Sequence, residues 1–176
     1  MFSRKISSSI ELKLALPSFA REIYALTDNN RDFLREWLPW LDYTHSEEDT
    51  RNFIKDELLK FARGESMVAT IFYEGSIVGV AGFNSIDHTN GIGYIGYWLG
   101  EQFNGNGIMT KVVTDLIKIA KEDLSLQKVD IRCATGNMKS RAIPERLGFK
   151  HEGTLQRAEK LYDRWVDHEV YALLLN

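Results

Sequence analysis

The chain has 176 residues, 44% of them hydrophobic and 27% charged, with a formal net charge of -3. That is enough apolar material for one compact core, so a disordered chain is excluded, and one domain over 1–176 is expected. The mild acidity gives no basic face for direct nucleic-acid binding. No apolar run approaches the roughly 18 residues that span a bilayer, so no membrane role is expected.

The first segment, Met1 to Ser9, has no apolar stretch of the secretory kind, and the cytoplasm is the expected compartment. Ile10, Leu12 and Leu14 alternate with Glu11 and Lys13, which predicts a first strand. Pro17 can open a helix that runs to about Asp28. A second helix is expected from Arg31 to Leu38, broken by Pro39. Ser46 with Asp49 has the spacing of a capping box. The stripe Phe53, Ile54, Leu58, Phe61 and Ala62 follows it, and Gly64 ends the helix.

The period then changes. Val68 to Tyr73, Glu74-Gly75, and Ile77 to Phe83 read as strand, turn and strand. Asn90-Gly91 is a second turn, and Gly93 to Leu99 a third strand. A helix is expected from Ile108 to about Glu122, with Val112, Val113, Leu116, Ile117 and Ala120 on one face. Val129 to Cys133 reads as a strand and Ser140 to Leu147 as a short helix. Strand material closes the chain at His151 to Glu159 and Trp165 to Leu174. This is a mixed α/β pattern and not a repeated βαβ array, which disfavours a doubly wound sheet.

The sharpest local signal is Gln102-x-x-Gly105-x-Gly107 between a strand and a helix. Glycine lets the backbone approach a ligand. The free N–H groups and positive dipole end of the following helix would suit a pyrophosphate. Gly107 is followed by Ile108 and Met109, so the lysine of a nucleotide-triphosphate loop is missing. Thr110 stands where a dinucleotide fingerprint needs its third glycine. A plain strand-to-helix turn is the alternative reading.

A second constellation is Asn137-Met-Lys-Ser140, then Glu145-Arg-Leu-Gly-Phe149 and Glu152-Gly153. Asn137 can offer its amide to a ligand. Ser140 can cap the helix or present its hydroxyl beside a ligand. The lone Cys133 cannot form an internal disulfide and reads as a buried strand residue. The four histidines, at 45, 88, 151 and 168, lack metal-ligand spacing, so no metal is expected.

Both motifs, the tail from Gln156-Arg-Ala-Glu159 through Asp167-His168-Glu169 to Leu174, and the early Trp37-Leu-Pro-Trp40 resemble the GNAT superfamily of N-acetyltransferases, in its RimJ/RimL branch. The resemblance covers nearly the whole chain. It implies a GNAT acyl-CoA fold, with a central, mostly antiparallel sheet splayed at the cofactor site and flanked by helices. It implies acetyl-CoA as co-substrate and a primary amine as acceptor, either the N-terminus of a ribosomal protein or a small amine. A non-catalytic acyl-CoA-binding protein remains the other reading.

In that family's terms, Trp98, Leu99, Gln102, Gly105, Asn106, Gly107, Ile108, Met109, Asn137 and Ser140 would bind the cofactor. Ser140 would protonate the leaving thiolate, and Glu159 would serve as base, directly or through a water. An exposed strand carboxylate is the alternative for Glu159, and Tyr162 and Tyr171 are alternative acids. Trp37 and Trp40 would line the acceptor side, unless they pack in the core. The acids Asp42, Glu47, Glu48 and Asp49 could attract a cationic amine or compensate a helix dipole. A homodimer or larger homo-oligomer is expected from exposed tryptophans and the long final strand.

Overall fold

The computed structural model describes residues 3–175. Its centre is an eight-stranded sheet in the order β1-β2-β3-β4-β5-β6-β8-β7. The strands are β1 (Ser3–Lys5), β2 (Ile10–Leu14), β3 (Met67–Tyr73), β4 (Ser76–Asp87), β5 (Ile92–Leu99), β6 (Lys128–Ala134), β7 (Lys150–Leu161) and β8 (Arg164–Leu174). Every neighbouring pair is antiparallel except β5 and β6. The helices are α1 (Ala20–Asn29), α2 (Arg31–Arg35), α3 (Glu47–Ala62), α4 (Ile108–Lys118) and α5 (Met138–Arg146).

Two cores lie on opposite faces of the sheet. Alternation along β3 is the cause: Met67, Ala69 and Ile71 enter one cluster, while Val68 enters the other. The larger cluster packs Val112, Val113 and Leu116 of α4 against Leu12, Ile71, Phe83 and Ile131. The smaller packs Ala20, Ile23 and Leu26 of α1 and Ile54 of α3 against Val68 and Ile77. Leu116 is fully buried, so truncating it to alanine should cost about 2–5 kcal/mol.

Several boundaries differ from the sequence reading. β1 was not expected; its three residues, all polar, carry no usable period. α2 stops at Arg35 rather than Leu38, and Pro39 opens a separate 3₁₀ turn to Tyr43. α4 ends at Lys118 and passes into a π-helical turn, Ile119–Asp123. β4 runs past Phe83 to Asp87 because an irregularity between Phe83 and Ser85 shifts its register against β5. Phe53 and Phe61 are 51% and 38% exposed, so the α3 stripe faces the core only in part. The capping box is present: Ser46 Oγ accepts the Asp49 N–H at 3.2 Å.

Candidate active site

The parallel pair β5–β6 is hydrogen-bonded only from Ile92↔Lys128 to Ile95↔Ile131. Both strands continue beyond that point, β5 to Leu99 and β6 to Ala134. They diverge into a V whose apex is Ile95. β5 leaves one row of backbone groups unpaired along the gap, and buried unpaired groups seek a partner. A chain of amides entering the gap would supply one.

At the open end of the V lies the glycine loop. Gly105 and Gly107 have φ of +82° and +71°, and nothing stands within 4 Å of a Cβ built at either. Gly107 is the N-cap of α4 and brings no side-chain acceptor. The first N–H groups of α4 are therefore left for a ligand, with the positive end of the helix dipole behind them. Arg146 adds a cation close by, donating from Nη1 to Thr110 Oγ1 at 2.9 Å. These features fit a pyrophosphate. The loop is anchored from behind: the buried Asn30 accepts the Glu101 N–H through Oδ1 at 2.8 Å.

A cavity of about 310 Å³ occupies the gap. Trp98, Leu99 and Met109 line one side and Asn137 and Ser140 the other, with Trp37 above. Five sequence-singled cofactor positions and one acceptor tryptophan thus meet at one place. Gln102, Gly105, Asn106 and Gly107 lie exposed in the loop outside it, and Ile108 is buried in the core. Only the backbone of Ile108 is left to meet a ligand.

Ser140 is not the helix cap. Asn137 is the N-cap, and its Oδ1 accepts the Ser140 N–H at 3.2 Å. Tyr97 donates its phenolic hydrogen to the Ser140 main-chain oxygen at 2.9 Å. Both contacts use Ser140's backbone and leave its hydroxyl out of the capping. Burial drives the Tyr97 phenol well above its ordinary value, so it stays a neutral donor. Cys133 is buried beside this point, and burial pushes its thiol up to about 11 against a smaller opposing pull from Ser140. A thiol held neutral is a poor nucleophile.

Glu159 lines neither this cavity nor the next. Its Oε2 lies 2.9 Å from His168 Nε2 across the β7–β8 ladder. The two tyrosine alternatives are both engaged. Tyr171 is 2% exposed and donates to Glu145 Oε1 at 2.6 Å, while Tyr162 donates to the Arg35 main-chain oxygen.

A second cavity of about 720 Å³ opens on the α1–α3 face. Its walls are Trp40, Tyr43 and Phe53, its floor Gly82 and Gly96, and it shares Leu38, Tyr97 and Trp98 with the first. The structure therefore splits the tryptophan pair: Trp37 borders one cavity and Trp40 the other. The acids near Trp40 are largely spoken for. Asp42 pairs with Arg35 at 2.6 Å, Glu47 with Arg51, and Asp49 accepts the His45 N–H at 2.9 Å.

Sequence reasoning missed Tyr97, Asn30 and the role of Arg146. Tyr97 was legible only as one aromatic in a strand, and no spacing links it to a serine 43 positions on. Asn30 acts through the fold with no motif around it, and Arg146, inside the Glu145–Phe149 stretch, was given no role of its own.

Comparisons with known proteins give the family and the fold. The model of the Acetyltransferase (GNAT) domain family matches residues 13–150. The chain is 33% identical over 172 residues to the ribosomal-protein-serine acetyltransferase of Escherichia coli (strain K12), covering 98% of this chain and 96% of that protein. It superposes with TM-score 0.96 and 31% identity on RimL, a ribosomal L7/L12 alpha-N-protein acetyltransferase in complex with coenzyme A, covering 99% and 98% of the two chains. It superposes with TM-score 0.93 and 32% identity on the microcin C7 self-immunity acetyltransferase MccE in complex with acetyl-CoA and AMP, covering 97% and 94%.

Proposed function

The chain belongs to the GNAT acetyltransferase family, and from that premise we propose that it acetylates the N-terminal amine of a ribosomal protein. It is an acetyl-CoA-dependent N-acetyltransferase. The observation that carries the reading is the V between β5 and β6, with the glycine loop at its mouth and Ser140 on its flank.

In this reading the N–H groups from Gln102 to Met109 hold the pyrophosphate, and the unpaired edge of β5 at Trp98 and Leu99 pairs with the pantetheine amides. Asn137 lies against the same arm. The thioester then rests near the apex, one residue from Gly96. A protonated amine has no lone pair, so its proton must leave before it attacks the carbonyl carbon. Glu159 takes that proton through a water, because its carboxylate stands outside the cavity. A main-chain N–H near Leu99 stabilises the charge that grows on the carbonyl oxygen. The C–S bond breaks, and the Ser140 hydroxyl gives its proton to the departing thiolate. Trp37 and Trp40 flank the acceptor. Residues 1–176 act together as one domain, in the cytoplasm, as a homodimer or larger homo-oligomer.

No helix among the described residues is long and apolar enough to cross a membrane. The relatives' substrates support the choice of a ribosomal protein, since two of the three modify one by name.

A small amine carried on a planar ring is the second reading. It is favoured by the exposed rings of Trp40, Tyr43 and Phe53 around the larger cavity, because aromatic faces stack on planar groups. MccE, similar in fold, is bound to AMP together with acetyl-CoA.

The test is to incubate the protein with acetyl-CoA and synthetic peptides copying ribosomal-protein N-termini, then locate the acetyl group by mass spectrometry. Acetyl on the α-amine is expected. Acetylation of small aromatic amines with no peptide modified would overturn the first reading in favour of the second.

A further inference from the structure

Asn84 stands out on the α1–α3 face. It is the extra residue at the register shift of β4, where Phe83 pairs with Ile95 and Ser85 with Tyr94. Such a bulge turns one side chain away from the regular alternation. The effect here is visible at Gly96. A Cβ built on Gly96 would meet Asn84 Nδ2 at 2.3 Å and Oδ1 at 2.6 Å. The asparagine amide lies over Gly96, in space that only glycine leaves free.

The surroundings are built for an occupant. Gly96 is the β5 partner of Gly82, and neither carries a side chain, the space over Gly96 being taken by the Asn84 amide and that at Gly82 closed by the Met67 main-chain oxygen. Gly96 follows Ile95, the last β5 residue paired with β6, so the amide sits one residue from the apex of the V. Asn84 is exposed, lines the 720 Å³ cavity, and its side chain makes no hydrogen bond within the described residues. Asn84 and the aromatic walls border a cavity that reaches the first one at Leu38, Tyr97 and Trp98.

We infer that Asn84 grips the main chain of the acceptor peptide just behind its N-terminal residue. The inference rests on the peptide-acceptor reading given above. A carboxamide offers one acceptor and two donors, which is the complement of a peptide unit's N–H and C=O. A peptide main chain laid along the cavity floor beside this amide could pair with it in both senses, whatever its side chains. Trp40 and Phe53 would then flank the first side chains. Asp56, exposed on the rim with no ion pair to another described residue, favours a cationic segment there.

Two acceptors distinguish the outcomes: a six-residue peptide with a free N-terminus, and 2-phenylethylamine, which has no peptide bond. Asn84→Ala should lower kcat/KM for the peptide roughly tenfold, the scale of one well-made hydrogen bond pair. It should leave the KM for acetyl-CoA and the rate with 2-phenylethylamine unchanged. Methylating the amide nitrogen of the peptide's second residue should cost the wild type a similar factor and cost Asn84→Ala almost nothing more, because both remove one contact. Equal losses on both acceptors, additive losses on methylation, or no loss at all would overturn the inference. Wild-type protein that modifies the monoamine and no peptide overturns the peptide reading itself, and this inference with it.

Discussion

Tyr97 reaches from β5 to α5 and donates to the Ser140 main-chain oxygen across 2.9 Å. β5 and β6 have already parted at Ile95 and Ile131, so this bond spans the gap that the strands no longer bridge. It sets where the first turn of α5, and with it Ser140, stands relative to the cofactor strand.

Replacing Tyr97 with phenylalanine keeps the ring and removes the tie. Steady-state kinetics should then show kcat/KM for acetyl transfer down by about five- to tenfold. The melting temperature should fall by a few degrees, since a part-buried carbonyl loses its partner. An unchanged rate would mean that packing alone places α5.

Acetyl-CoA should raise the melting temperature, because it binds the folded chain alone. At a hundredfold excess over its dissociation constant the stabilisation is about 2.7 kcal/mol. Gly107→Val should abolish the shift, since Gly107 sits at φ +71°, where a β-branched residue is strained. Gly107→Asn should retain part of it, because asparagine tolerates the left-handed region. A full shift with valine would show that the loop does not hold the pyrophosphate.

Ser140→Ala should slow turnover about a hundredfold, the lower range for a lost general acid. The same variant should keep the acetyl-CoA melting shift. The α5 cap will survive because Asn137, not Ser140, supplies it. Turnover at the wild-type rate would remove Ser140 from the chemistry and leave the thiolate to be protonated by water.

Glu169 gives a pH signature. It is 6% exposed and accepts from Thr135 Oγ1 at 3.0 Å, Thr154 Oγ1 at 2.9 Å and the His151 ring. The His151 contact, followed by Thr154, holds its carboxyl below the ordinary 4.5. A depressed folded-state value means the stabilisation is full above about pH 4.5 and is lost as pH falls through the lower folded-state value. Thermal melts of wild type and Glu169→Gln should therefore differ by their full amount above about pH 4.5 and converge in acid. A gap that stays constant down to pH 3 would show that shape and not charge accounts for the effect.

The parts of the site legible in sequence are those whose chemistry is local. Gly105 and Gly107 announce themselves because a left-handed backbone needs glycine. Asn137 and Ser140 lie within one helical turn, so their spacing survives folding, although their roles as cap and third residue do not show until the helix start is known. Asn84 is different. Its aim depends on a single extra residue in β4 and on the absence of a side chain at Gly96, twelve positions away. Glu159 meets His168 only because β7 slips in register between Leu155 and Glu159. Register is set by long-range pairing, and no window of the chain records it.

That slip has an effect beyond Glu159. β7 is the last strand of the sheet, with one flank open, and 12 residues is long for an edge. A straight strand there would be a template for another chain's backbone. Its two irregularities, at His151/Gly153 and Leu155/Glu159, break the row of donors and acceptors into short runs. The kinks that shape the hairpin thus also blunt fibril-like growth from this side, without a proline to do it.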